Sequence, residues 1–201
     1  MKNLAVLISN TGTGTNLKAI IKAIKTKKLK AKIMVVVGDT DKALGLKHAK
    51  QHNIPIQIIK VKDNLVEILK NKFSVDYVCL AGWKKIIPNE LIKAFPNKIF
   101  NIHPGLIPNK LDGQVINPDG TVGLWNRGKL AEKAIENFLN KKATYAGSSV
   151  HWLSEQFDFG KVLTRCFEPI KPGDTVQSLY KRLKKKENKI YVESLISICK
   201  Y

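Results

Sequence analysis

The chain has 201 residues, 44% of them hydrophobic, and a formal net charge of +19 at pH 7. This length and apolar content suffice for a domain with a buried core, and no apolar run reaches the roughly 18 residues that a membrane-spanning helix needs. Only 3 of the 35 basic residues are arginine, the residue that nucleic-acid readers favour, so the charge predicts a solvated lysine-rich surface rather than a nucleic-acid site.

The N-terminal segment and the cysteines indicate the cellular compartment of the protein. The apolar run at residues 4–8 is shorter than the core of a secretory signal, so we interpret it as the first strand. The three cysteines, Cys79, Cys166 and Cys199, form no CxxC pair, and their odd number favours reduced thiols over disulfides. Both observations predict a cytoplasmic protein.

The first half of the chain alternates short apolar runs with helical patterns. The predicted strands are Leu4–Ile8, Ile33–Val37, Ile56–Ile59, Asp76–Leu80 and Lys98–Ile102. The predicted helices are Leu17–Lys28, Ala43–His52, Leu65–Lys72 and Asn89–Ala94. Nearly continuous apolar strands that alternate with helices indicate a parallel sheet covered on both faces. The expected fold class is therefore α/β, with a mostly parallel, doubly wound, Rossmann-like sheet.

The second half has a different composition. Residues 109–128 are rich in Gly, Pro, Asn and Asp, with a strong turn signal at residues 117–120. A helix over Lys129–Asn140, strands over Ala143–Leu153 and Lys161–Phe167 and a long C-terminal helix over Thr175–Ile198, with Asp174 as its N-cap, are predicted next. The later strands are expected to form an antiparallel C-terminal portion. No linker or repeat divides the chain, so a single domain over residues 1–201 is expected.

The first segment with recognisable chemistry, residues 10–16, lies between the first predicted strand and the first predicted helix. Its glycines would let backbone N–H groups approach an anion, and the helix N-terminus adds a positive end. Gly12-x-Gly14 lacks the third glycine of a dinucleotide fingerprint, so a single phosphate is the favoured ligand. The alternative is a capped turn with no ligand.

Two further segments follow predicted strands, at the sheet edge where open parallel sheets bind ligands. Residues 81–88 could hold a flat heteroaromatic ligand or form an ordinary turn. Asn101 and His103 offer an amide donor and an imidazole that exchanges a proton near neutral pH, and Asp158 would orient that imidazole or hold it charged. Together they suit a reaction in which a carbonyl oxygen gains negative charge while an amine loses a proton. The alternative for His103 is a purely structural histidine.

Glu187 is an anomaly of the C-terminal helix, because it falls in the middle of that helix's apolar face. A buried carboxylate needs a partner or a polar ligand. The spacing leaves two interpretations open: Glu187 lies at the edge of the apolar stripe and pairs with a lysine, or it binds a ligand.

Taken together, these motifs resemble the folate-dependent formyltransferases over nearly the whole chain. The match runs in order through Leu80-Ala81-Gly82-Trp83, Asn101-Ile102-His103-Pro104-Gly105-Leu106-Ile107-Pro108, Gly147-Ser148-Ser149-Val150-His151 and Asp158. The loop Gly14-Thr15-Asn16-Leu17 is similar to that of the branch that formylates glycinamide ribonucleotide. The resemblance implies 10-formyltetrahydrofolate as co-substrate, glycinamide ribonucleotide as acceptor in purine biosynthesis, no metal, and a possible homodimer. The short apolar runs and the lysine-rich composition predict no membrane and no nucleic-acid partner.

The resemblance also implies roles for individual residues. Gly14, Thr15, Asn16 and Leu17 would bind the substrate phosphate, and the folate pterin would contact Lys84, Lys85, Ile86, Ile87 and Asn101. Asn101 and His103 would stabilise the oxyanion, while Asp158 would raise the histidine pKa and help to move the proton. Glu187 would hold the glycinamide substrate.

Three features depart from the family pattern. Gly105 stands where members usually carry serine, Phe159 stands where they usually carry glycine, and residues 109–128 form a longer segment that could cover the site, alter the acceptor or mediate assembly. The sequence therefore defines the acceptor amine less narrowly than it defines the formyl-transfer reaction. The alternatives are another amine, such as an amino-sugar nucleotide or initiator tRNA, a formyltetrahydrofolate hydrolase, and a basic nucleic-acid-binding relative without catalysis.

Overall fold

The computed structural model of the protein describes residues 1–10, 13–60 and 62–200. The chain forms two compact units, Met1–Asn101 with Leu195–Tyr201 and Ile102–Ser194, and each is described by itself. One domain over residues 1–201 stays a prediction.

The first unit is built on parallel strands. In chain order its elements are β1 (Lys2–Ile8), α1 (Thr15–Lys25), β2 (Ala31–Gly38), α2 (Leu46–Gln51), β3 (Ile56–Ile58), a short π-helix (Glu67–Lys72), β4 (Tyr77–Leu80), α3 (Asn89–Ala94) and β5 (Ile99–His103). The strands pair in parallel in the order β3-β2-β1-β4-β5. Residues 4–8 of β1 are all buried, so both faces of this strand are covered. The strand order reverses between β1 and β4, which confirms the predicted doubly wound arrangement and creates a switch point there.

Three predicted helices of this unit differ in detail from the observed ones. The helix expected over Leu17–Lys28 begins at Thr15 and ends at Lys25, because Lys27 adopts a left-handed backbone (φ +58°) that cannot continue it. The helix expected over Ala43–His52 begins only at Leu46, because residues 40–45 form turns in which Leu46 N–H donates to the Ala43 carbonyl. The helix expected over Leu65–Lys72 is a π-helix over Glu67–Lys72, and Phe73 N–H donates to the carbonyl of Ile68, five residues earlier. Such wide turns are rare, and the hydrophobic spacing does not distinguish them from an α-helix.

The second unit contains an antiparallel pair of strands and two helices. They are α4 (Ala131–Asn140), β6 (Tyr145–Trp152), β7 (Val162–Pro169) and the long α5 (Val176–Ile198), whose last four residues belong to the first unit. Strands β6 and β7 pair antiparallel from Tyr145 opposite Pro169 to His151 opposite Val162. The predicted antiparallel portion and long C-terminal helix are therefore confirmed.

The predicted N-cap of α5 is wrong by one residue. Thr175 Oγ1 accepts from the Ser178 backbone N–H (3.2 Å), and Ser178 Oγ accepts from the Thr175 N–H (3.0 Å), which is a reciprocal capping pair. Asp174 instead accepts from the Lys171 N–H (2.8 Å) and from Arg182 (2.6 Å to Oδ2). The Asp174 carboxylate therefore already accepts hydrogen bonds from Arg182 and from the backbone of its own turn.

The long segment over residues 109–128 contains a short hairpin. Ile116 and Val122 form an antiparallel bridge around the turn predicted at residues 117–120, in which Asn117 N–H donates to the Thr121 carbonyl (2.8 Å). Arg165 of β7 holds the start of the segment by donating to Asn109 Oδ1 (2.7 Å). The turn prediction is confirmed. Across residues 1–10, 13–60 and 62–200, no helix is both long and apolar enough to cross a bilayer.

Candidate active site

The predicted phosphate loop of the first unit leads into the N-terminus of α1. Thr11 and Gly12 lie outside the described residues, so the Gly12-x-Gly14 spacing is not tested here. Gly14 has φ +71°, and a Cβ at this position would stand 2.6 Å from Gly45 Cα, so only glycine fits without a shift. Within the described part of the chain, the first turn of α1 has neither a side-chain cap nor an acidic residue. Its backbone N–H groups therefore suit an anion.

Two buried polar atoms at the start of α1 support a ligand at this loop. Thr15 Oγ1 and Asn16 Oδ1 are buried and make no hydrogen bond within the described structure. Buried polar atoms are nearly always paired, so these two atoms fit a site that a ligand or water completes.

His48 of α2 is a neighbour of this loop that sequence reasoning missed. Its Cδ2 lies 3.1 Å from the position a Gly14 Cβ would take. Burial lowers the pKa of His48, and the charges of Lys47 and Lys18 lower it further, although a hydrogen bond with the Thr13 backbone acts in the opposite direction. The sequence held no signal for this contact, because a lone histidine on a short helix has no distinctive pattern.

The predicted folate segment follows β4 and lies next to the end of β1. Lys84 N–H donates to Ser9 Oγ (3.0 Å), which ties the two neighbouring strand ends together at the switch point. Ile86 is 81% exposed, whereas Ile87 is buried, and the Trp83 Nε1 is buried without a hydrogen-bond partner among the described residues. An exposed apolar side chain and an unpaired indole N–H within one short segment suit a flat ligand with polar edges.

The second unit holds His103 at the end of β5 in an almost fully buried position. Its Nε2 lies 2.8 Å from the Trp125 carbonyl oxygen, and its Nδ1 lies 3.7 Å from Asp158 Oδ1. Asn101, the last residue of the first unit, is two residues earlier on the same strand, so both side chains leave β5 on one face.

The pKa of His103 is lowered, because burial outweighs every contribution that raises it. Asp158 raises this pKa, as expected from the sequence, and the Trp125 carbonyl and Glu187 also raise it, but they do not offset the loss of solvent. A neutral imidazole beside a carboxylate can accept a proton and is then stabilised as the cation.

Asp158 is held in a left-handed backbone conformation between β6 and β7, with φ +50°. The Gly128 N–H donates to its Oδ2 (2.7 Å), and the Trp125 indole Nε1 donates to its backbone carbonyl (3.1 Å). Aspartate tolerates this conformation better than most residues do. Hydrogen bonds to the carboxylate and to the backbone carbonyl of Asp158 therefore both fix its position.

Glu187 of α5 is buried and fully paired. Ser148 Oγ donates to its Oε1 (2.6 Å), and Lys184 Nζ lies 2.8 Å from its Oε2. Burial alone would lower the pKa of Lys184, but Glu187 and Tyr180 outweigh it and the pKa is raised. Glu187 therefore pairs with a lysine, as one of the two interpretations expected, and its charge also raises the pKa of His103. The structure brings His103, Asp158 and Glu187 into one electrostatic neighbourhood.

Ser149 and His151 are further residues at this site to which sequence reasoning gave no role. Ser149 Oγ donates to the Gly105 carbonyl (2.7 Å) and accepts from the Ile107 N–H (2.9 Å). Burial, followed by the charge of His103, lowers the pKa of His151 to about 3, so this ring stays neutral. Both belong to the motif at residues 147–151, which was the available signal. In the described part of the chain, no three His, Cys, Asp or Glu side chains are grouped as metal ligands.

Comparison with known proteins places the chain in a family. The model of the formyl transferase family matches residues 2–195. The chain belongs to the formyl transferase family. The chain is 32% identical to the phosphoribosylglycinamide formyltransferase of Dictyostelium discoideum, with 96% of each protein covered.

Other relatives extend the comparison. The chloroplastic phosphoribosylglycinamide formyltransferase of Vigna unguiculata is also 32% identical, and 98% of the chain matches 61% of that protein, so the chain spans about three fifths of this relative. The crystal structure of glycinamide ribonucleotide transformylase 1 from Symbiobacterium toebii has a TM-score of 0.83 and 29% identity, covering 99% of our chain and 88% of that one.

Proposed function

We propose that the chain is a folate-dependent phosphoribosylglycinamide formyltransferase. It transfers the formyl group of 10-formyltetrahydrofolate to the amine of glycinamide ribonucleotide, a step of purine biosynthesis, in the cytoplasm. The observation that carries the proposal is a buried imidazole, His103, with its Nδ1 3.7 Å from the Asp158 carboxylate, in a member of the formyl transferase family. The names of the relatives support the choice of acceptor.

The reaction is a direct attack of the acceptor amine on the formyl carbon. The new carbon–nitrogen bond forms as the formyl oxygen becomes an oxyanion, which the Asn101 amide and the His103 ring stabilise. The bond from the formyl carbon to the folate nitrogen then breaks, and the proton lost by the amine replaces the formyl group on that nitrogen. His103 and Asp158 move this proton through water. The chemistry needs no metal and no covalent intermediate.

Separate segments would hold the two substrates. The loop at residues 14–17 binds the phosphate, which supplies partners for the N-terminus of α1 and for the unpaired Thr15 hydroxyl. Residues 84–87, with Asn101, hold the folate pterin, for which the exposed Ile86 offers apolar contact. Glu187, whose two oxygens each already accept one hydrogen bond within the protein, would hold the glycinamide portion of the acceptor through its remaining lone pairs. These assignments follow the family motif residue by residue.

One assay with two acceptors tests the proposal. The protein is incubated with 10-formyltetrahydrofolate or a stable analogue, with glycinamide ribonucleotide, with an amino-sugar nucleotide, or with no acceptor. We expect deformylated folate to form only when glycinamide ribonucleotide is present. Folate release that is independent of any acceptor would instead indicate a hydrolase, and transfer only to the amino sugar would indicate another branch of the family.

A matched pair of histidine variants links the activity to the site. His103→Gln is expected to lower turnover about 10²- to 10³-fold, the usual cost of losing an oxyanion donor. His52→Gln makes the same change at an exposed histidine of the first unit and is expected to leave turnover unchanged. Wild-type turnover in His103→Gln would refute the assignment of the active site.

A further inference from the structure

The four residues Trp125–Gly128, at the end of the long segment 109–128, contact both members of the His103–Asp158 pair. The Trp125 carbonyl lies 2.8 Å from His103 Nε2, while the Trp125 indole and the Gly128 N–H donate to the backbone and the carboxylate of Asp158. One short segment therefore sets the position of the imidazole and of the acid at once.

Gly105 provides the space that this contact needs. A Cβ at Gly105 would stand 1.7 Å from the Trp125 carbonyl oxygen and 3.0 Å from His103 Nε2. The backbone of Gly105 is itself fixed, because its N–H donates to the His103 carbonyl (2.9 Å) and its carbonyl accepts from Ser149 Oγ (2.7 Å). Any side chain at position 105 would therefore displace the Trp125 carbonyl from the histidine.

The three departures from the family pattern meet at Trp125. The long segment supplies this residue, Gly105 makes room for its carbonyl, and the Phe159 ring packs against its indole with the ring centroids 5.8 Å apart. Asn126 anchors the segment by donating to the Pro104 and Ala134 carbonyls (3.2 and 3.3 Å). Three unrelated differences in sequence thus form one arrangement around the catalytic histidine.

The distances decide which nitrogen of His103 carries the proton in the neutral ring. A lone pair on Nε2 would face the Trp125 carbonyl lone pairs at 2.8 Å and be repelled, so Nε2 must donate. The Nδ1 then has no proton, and its 3.7 Å separation from Asp158 Oδ1 is too long for a hydrogen bond, as expected for two acceptors that face each other.

We propose that Gly105 and the Trp125–Gly128 segment are positioning elements that fix the neutral His103 as the Nε2-protonated tautomer, with the Nδ1 lone pair directed toward Asp158. The idea rests on the proposed function in one respect: Nδ1 is then the atom that takes the proton of the attacking amine. His103 accordingly stabilises the oxyanion by the charge of the imidazolium so formed beside Asp158, and not by a hydrogen bond from the neutral ring. Glycine at position 105 is a requirement of this arrangement.

Nitrogen-15 spectra of the histidine rings test the tautomer without any substrate. In the wild-type protein we expect the neutral His103 ring, assigned by its loss in His103→Gln, to carry a hydrogen-bonded Nε2 proton that exchanges slowly with water. In Gly105→Ser this protection is expected to disappear, and kcat is expected to fall at least about tenfold with little change in KM, because the ring is misdirected rather than the substrate lost.

Gly113→Ser is the matched control, since it makes the same substitution in the neighbouring segment 109–128, where the nearest contact of the added Cβ would be the Lys110 carbonyl at 3.1 Å. It should leave the ring spectrum and kcat unchanged. A neutral wild-type ring protonated on Nδ1, or a wild-type spectrum in Gly105→Ser, would overturn the proposal. The wild-type spectrum decides even if Gly105→Ser does not fold. If the wild type shows the expected tautomer but no formyl transfer, the proposed function fails and the positioning of His103 stands.

Discussion

Replacing Asp158 with asparagine removes the charge beside His103 while keeping the size of the side chain. The asparagine oxygen can still accept from the Gly128 N–H, and asparagine also tolerates the left-handed backbone at this position. Two unit charges 3.7 Å apart interact by about 4 kcal/mol at an effective dielectric constant of about 20. Because the Asp158 side chain is 19% exposed, solvent screening reduces the attraction between the Asp158 carboxylate and the protonated His103 to about 2–4 kcal/mol.

This energy is lost only when the ring is charged, so the effect falls on kcat rather than on KM. We expect kcat for formyl transfer to glycinamide ribonucleotide to fall about 30- to 1000-fold in Asp158→Asn. Glu136→Gln removes the same charge from an exposed carboxylate that pairs with Lys133, and it serves as the control. Steady-state kinetics of both variants would be compared at the same pH. Equal kcat values for the two variants would refute the role of the Asp158 charge.

Three other predictions concern binding, acid stability and thiol reactivity. Gly14→Ala is expected to raise KM for glycinamide ribonucleotide about 10- to 100-fold through loss of charge-assisted hydrogen bonds, whereas Gly173→Ala, which shares a positive φ but has open space, should not. Hydrogen bonding from Arg182 lowers the pKa of the Asp174 carboxyl below its value in the unfolded chain. The ionised Asp174 therefore stabilises the fold fully above the unfolded pKa of about 4, and this stabilisation is lost as the pH falls from there toward the lower folded pKa. The melting temperature should accordingly drop less steeply with acid in Arg182→Gln than in the wild type, and parallel curves would contradict this. All three cysteines are buried, and burial raises the pKa of Cys166 to about 12, so a thiol reagent at neutral pH should label the protein only after unfolding.

The parallel strands were predictable because they are short apolar runs whose positions do not depend on distant residues. Strands β1 to β5 each overlap a predicted strand, and the turn at residues 117–120 follows directly from its Asn-Pro-Asp-Gly sequence. The N-cap of α5 was misassigned because Asp174 and Thr175 are both good caps, and the choice depended on Arg182 eight residues later.

The candidate site was predictable in its side chains but not in its backbone contacts. The motif at residues 101–104 identified His103, yet the distance to Asp158 depends on a fold that joins positions 55 residues apart. The Trp125 carbonyl had no signal at all, since every residue carries the same backbone oxygen. The net direction of the His103 pKa also required the structure, because it depends on how burial compares with the neighbouring charges.

The left-handed backbone at Asp158 restricts how this position can change in descendants of the protein. Glycine, asparagine and aspartate adopt φ +50° with the least strain, and of these three only aspartate carries a charge. Asparagine or glycine at position 158 would therefore keep the shape of the turn while removing the charge beside His103. Glutamate would keep a charge, but at a higher cost in backbone strain and with its carboxylate one methylene farther along the side chain.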